Sequence, residues 1–201
     1  MDQLLWDIAE GLLSPDINIR DSSLDRLIVI EGYYKSPLIA SLLVSRISEP
    51  DLETRFHVVQ LLGNLVDFDS SGPCFTDQAL VYAQDGLDQI GKDQLIKLLE
   101  VSEKYLTSGK AISAILKMIS YAGNSLSGIV NDRKQQVILR QQAIFYCGEV
   151  GFLSTKPTLQ NLIQRVEKAR NRSGDVSERQ KARDEEFLYP FAISALEKLK
   201  L

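Results

Sequence analysis

Reactive side chains are scarce in this chain. Its 201 residues include one histidine, His57, and two cysteines, Cys74 and Cys147. The cysteines have no CxxC spacing, and one histidine cannot complete a Cys/His zinc site. Both therefore read as free thiols of a reducing compartment. No GxGxxG run and no GxxxxGK followed by Ser or Thr is present, so a phosphate-cradling loop of that kind is not expected. The carboxylates are scattered without the spacing of a calcium loop. No apolar run approaches the length of a membrane span. The opening MDQLLWDIAEGLL carries Asp2, Asp7 and Glu10, where a secretory signal has positive charge. Period-2 alternation is almost absent, so strands are not expected. His57 has Glu53 four residues before it. Such a helix-surface pair is worth only a few tenths of a kcal/mol, and no positioned nucleophile or proton-accepting geometry is read beside it. The expectation is a cytoplasmic protein with no catalytic residue set, no metal site, no cofactor and no membrane partner.

What is present is helical periodicity. The composition, 44% hydrophobic and 25% charged, is that of an ordinary globular chain. The stretch 50–66 reads PDLETRFHVVQLLGNLV. Pro50 suits a first helical turn, and Asp51 and Glu53 place negative charge at the positive end of the helix dipole. After Arg55, the residues Val58, Val59, Leu62, Leu65 and Val66 form one apolar stripe. Gly63 lies beside that stripe, where a missing side chain lets another helix approach closely.

The pattern recurs. Pro15, Asp16 and Arg20 stand 35 residues before Pro50, Asp51 and Arg55. Lys92 and Asp184 fall in later arginine positions. Arg140 is followed by Ala143, Ile144, Cys147 and Gly148, with Gly148 at the offset Gly63 has from Arg55. Helices are expected near 2–13, 17–31, 36–47, 50–66, 76–89, 92–106, 110–122, 134–150, 156–170 and 184–200. Residues 67–77 read as a polar connection, and 123–133, GNSLSGIVNDR, as a longer one.

This register resembles the HEAT repeats of the armadillo and HEAT-like superfamily. The resemblance implies an all-α fold, a right-handed α-solenoid of about five antiparallel helix pairs. It implies one domain over 1–201, with approximate units 1–34, 35–68, 75–107, 109–152 and 155–201. It also implies that Arg20, Arg55 and Arg140 form a ladder with the Asp residues of successive units rather than contact a ligand.

Second helices of such stacks line the concave face. Residues there that avoid the core stripe are the candidate surface: His57, Gln60, Asn64, Lys97, Gln142, Phe145, Tyr146 and Glu149. The function expected is a non-enzymatic scaffold that binds a protein or peptide. A second reading uses the segment 165–183, which holds seven basic and three acidic residues, to bind nucleic acid; Arg170, Arg172 and Arg179 would carry it. A third, from the same resemblance, is a HEAT-like lyase or enzyme subunit.

Overall fold

The computed structural model describes residues 3–69, 71–170 and 176–200, the side chains of 176–182 excepted. All the regular structure among these residues is helical. The helices gather into two compact units, Met1–Ser120 and Tyr121–Leu201.

The N-terminal unit holds α1 (Gln3–Leu12), α2 (Ile17–Ile28), α3 (Pro37–Ser45), α4 (Leu52–Val66), α5 (Asp77–Leu87), α6 (Lys92–Lys104) and α7 (Gly109–Met118). Its helix starts follow from local chemistry. The Asp16 side chain accepts from Asn18 N at 2.9 Å, and Asp51 accepts from Thr54 N at 2.9 Å. Ser36 caps α3 with Pro37 in the first turn. The expected stripe of α4 is the core: Val58, Val59, Leu62, Leu65 and Val66 are all buried. Each such side chain contributes about 1.5–3 kcal/mol relative to exposure. Helix α1 packs on α2, α3 on α5, and α4 on α7.

The C-terminal unit holds α8 (Ala122–Asn131), α9 (Val137–Val150), α10 (Lys156–Arg170) and α11 (Val176–Lys198). Helix α9 packs against both α8 and α11, and α10 packs along α11. Gly151 ends α9 at φ +86, a left-handed conformation that suits glycine.

Three expectations are corrected. Most of the connection expected over 123–133 is α8, whose Leu126, Ile129 and Val130 are buried. Tertiary burial overrides the weak helix propensity of its Gly, Asn and Ser residues. Next, α7 lies along α4 rather than opening a pair with 134–150. Last, α11 runs from Val176, well before residue 184, and continues through Pro190. Phe187, expected in its stripe, is 44% exposed, while Leu188, Ala192 and Ala195 are buried.

The arginines act as struts. Arg20 donates to the Ser14 and Pro15 carbonyls and reaches Glu49 at 2.6 Å. Arg55 donates to Glu49 O, Pro50 O and Lys97 O and pairs with Glu100 at 2.7 Å. Arg140 donates to Val130 O at 2.9 Å and stands 3.8 Å from Glu185. The partner acids are therefore glutamates. The expected aspartates are engaged elsewhere: Asp16 and Asp51 cap helices, and Asp88 accepts from Ser120 N. Lys92 and Asp184 do not take the arginine role; Lys92 is exposed at the start of α6, and the acid that meets Arg140 is Glu185, next to Asp184.

The same constellation of an Arg, a Gly, a Glu and an Ala facing the Gly occurs in both units. Arg55, Gly63 and Glu100 recur 85 residues later as Arg140, Gly148 and Glu185. A methyl on Gly63 would collide with the Ala111 backbone, and one on Gly148 would lie 2.7 Å from Ala195 Cα. Each glycine thus marks the closest approach of two helices.

Candidate functional site

A groove of about 560 Å³ opens on the N-terminal unit. Helix α2 supplies Leu24, Asp25 and Ile28; α4 supplies Phe56, His57, Gln60, Leu61 and Asn64. The spacing 57, 60, 61, 64 is a second helical stripe, turned away from the core stripe of α4. Tyr33, Ser71, Gly72 and Pro73 complete the lining. The segment after Pro73 is anchored where Phe75 N donates to Leu65 O at 2.9 Å and Thr76 N to Tyr34 O at 3.3 Å.

Leu24, Tyr33 and Leu61 of the lining are buried, Phe56 and Gln60 are half-buried, and Asp25, Ile28, His57 and Asn64 are exposed. Phe56 is held from behind by Tyr105, stacked at 4.3 Å, and tilts toward His57 at 5.6 Å. Tyr33 meets Tyr34 edge-on at 5.8 Å. Burial, and then the neighbouring Tyr34, raises the Tyr33 pKa, so the phenol is neutral and can donate a hydrogen bond. Gln60 and Asn64 stand one turn apart on α4, and each amide offers both a donor and an acceptor. Among the described residues, Asp25 is the one carboxylate of the lining.

The eight expected surface residues do not form one set. His57, Gln60 and Asn64 meet in the groove. Lys97, in the same unit, is half-buried and pairs with Glu100 at 3.0 Å, while its carbonyl accepts from Arg55. It belongs to the strut. In the C-terminal unit Gln142 is half-buried, Phe145 and Glu149 are exposed, and Tyr146 is 0% exposed. Tyr146 is therefore no surface contact. Helix α9 packs against both α8 and α11, so its buried arc is wider than its apolar stripe. Lys198 pairs with Glu149 and lies 5.2 Å over the Phe145 ring, so this face is engaged by its own unit. The groove's Leu24, Asp25 and Ile28 were not among the expected residues. Their signal is the exposed Ile28 at the end of α2, which counts as core if only the periodicity is read.

For the nucleic-acid reading, Arg170 pairs with Glu186 at 3.2 Å and lies 4.6 Å over the Tyr189 ring. Arg172 and the side chain of Arg179 lie outside the described residues. Among the described residues, no group of three His, Cys, Asp or Glu side chains is placed to hold a metal ion. None of the described helices is long and apolar enough to cross a membrane. Cys147 is buried, and burial pushes its thiol up to about 12 against a hydrogen bond from Thr155. It is a protonated core group near neutral pH. Cys74 is half-buried, its Sγ 3.3 Å from Asp67 O.

No protein-family model, no curated protein and no solved structure matches this chain, so its function is read from this geometry.

Proposed function

We propose that this chain is a non-enzymatic helical-repeat scaffold, an α-solenoid of about five antiparallel pairs resembling HEAT repeats, that binds a peptide segment of a partner protein in the groove of its N-terminal unit. The observation that carries this reading is the convergence of His57, Gln60 and Asn64 with Leu24, Ile28, Tyr33 and Phe56 on one concave surface. A largely apolar lining with a few oriented polar groups is the common form of a binding cleft. Gln60 and Asn64 can pair with the backbone amide and carbonyl of an extended segment, and the apolar lining can take its side chains.

The repeat count rests on a revised pairing. Helix α8 takes the first-arm role of the fourth pair. Helices α6 and α7 together take the second-arm role of the third, broken at Tyr105. Glu100 and Ala111 are 11 residues apart, Glu185 and Ala195 are 10, and Pro190 stands five after Glu185 as Tyr105 stands five after Glu100.

Panning a peptide display library on the full chain tests the reading. Selected peptides should share a motif, and their affinity, measured by fluorescence anisotropy, should fall at least about tenfold in a Gln60→Ala, Asn64→Ala variant, the factor of one lost 1.4 kcal/mol contact. Gln60 is half-buried and Asn64 exposed, so the variant should keep the parent's thermal unfolding curve. Peptides that bind the variant as tightly as the parent, or selection without a motif, would overturn the proposal.

A further inference from the structure

In the N-terminal unit the Arg55 strut is satisfied, with three carbonyls and the Glu100 carboxylate around it, while Arg20 Nε and Arg46 Nε beside Glu49 are buried without an acceptor. The equivalent of the Arg55 strut in the C-terminal unit is not satisfied. Arg140 is 2% exposed and donates from Nε to Val130 O, but its Nη2 lies 3.8 Å from Glu185 Oε1, beyond hydrogen-bond reach. Two further guanidiniums crowd the same carboxylate oxygen. Arg133 reaches it from Nε and Nη2, both at 2.9 Å, and Arg165 Nε lies 3.3 Å away, off the hydrogen-bond direction. One oxygen cannot accept from three forks. Arg140 Nη2 and both Nε and Nη2 of Arg165 are left buried without a hydrogen-bond acceptor.

Charge points the same way. Three arginines face Glu185, and Asp184 also acts on Arg140, so the cluster keeps one positive charge beyond its two carboxylates. The whole unit carries 13 basic and 9 acidic residues. Buried guanidinium donors without an acceptor are costly, and a buried charge is ordinarily paired.

We propose that the C-terminal unit has a phosphoryl-group site at Arg140 and Arg165, flanked by Arg133, which takes a phosphomonoester or inorganic phosphate. A phosphoryl group offers three acceptor oxygens to donors that approach from different arginines, and guanidinium forks match it bidentately. A further carboxylate would add only two oxygens beside the Glu185 and Asp184 carboxylates already there. The side chains of Arg133 and Arg165 are 47% and 34% exposed, so the group enters from their side. This site is separate from the peptide groove and does not depend on it.

The test is calorimetric titration of the full chain at constant ionic strength with inorganic phosphate, O-phosphoserine and a single-stranded oligonucleotide, with chloride as the blank. Inorganic phosphate and O-phosphoserine should both bind saturably, and Arg133→Gln and Arg165→Gln should each weaken binding about tenfold. These arginines are partly exposed, and thermal unfolding shows whether each variant folds. Binding by inorganic phosphate alone would place a free anion at the site; binding by both probes would place a phosphorylated group there. A phosphate response no larger than that of chloride overturns the proposal whatever the variants do. Unchanged affinity in both folded variants, or oligonucleotide binding that phosphate does not displace, overturns it as well.

Discussion

At the residue scale, two glycines decide where helices meet. The requirement at Gly63 is visible in the sequence, because a glycine beside an apolar stripe implies a close neighbour. The neighbour is not visible, since Ala111 lies 48 residues away and nothing local names it. The same holds for Gly148 and Ala195. Gly63→Ala is expected to cost about 1–3 kcal/mol, because the new methyl meets backbone that cannot rotate away. Gly128 in α8 is the control. It is exposed and a methyl there meets nothing within 4 Å, so Gly128→Ala should stabilise by about 0.5–1 kcal/mol through the helix preference of alanine. Urea midpoints of the two variants check both signs. Tyr146 shows the opposite limit of legibility. Its position off the apolar stripe of α9 suggests a surface residue, and only the presence of two packing partners buries it.

At the scale of elements, caps and struts tie helix starts to charge. The Thr54 backbone N–H holds the Asp51 carboxyl below its ordinary 3.8, and the Ser120 backbone N–H does the same for Asp88. Burial alone would raise Glu100, but the hydrogen bonds from Arg55 and Lys97 outweigh it, and its pKa lies below the ordinary 4.5. A carboxyl whose folded pKa is depressed binds protons more readily when unfolded. It therefore stabilises the fold above its unfolded pKa, and that contribution is lost as pH falls through the folded one. The stability of the N-terminal unit should be level above about pH 5 and decline below about pH 4. Glu100→Gln and Asp51→Asn together should flatten that decline, as read from unfolding midpoints at several pH values. The caps were legible because an N-cap and its acceptor are neighbours in sequence. The strut acids were not, since Glu100 and Glu185 lie 45 residues from their arginines. Helix α8 was missed for a related reason: its local composition favours a turn, and the burial that makes it helical comes from α9 and α10.

At the scale of the whole molecule, a net charge of −4 conceals a division. Residues 1–120 carry 18 acidic and 10 basic side chains, and residues 121–201 carry the excess of positive charge. Each unit has its own buried cluster and its own Arg–Gly–Glu–Ala constellation. On the helical-repeat reading proposed above, stability is distributed along the chain, as the sum of terms within and between neighbouring elements. Local perturbations should then stay local. In hydrogen exchange followed by mass spectrometry, Gly63→Ala is expected to speed exchange in α4 and α7 first and to leave α9 and α11 close to the parent rate. Gly148→Ala should show the reverse pattern. Exchange in separate regions reports separate opening reactions only when those regions open below the global unfolding free energy. Equal acceleration of all four helices by either substitution would mean that the chain opens as one cooperative body. The duplicated constellation would then be a record of sequence repetition rather than a division of stability.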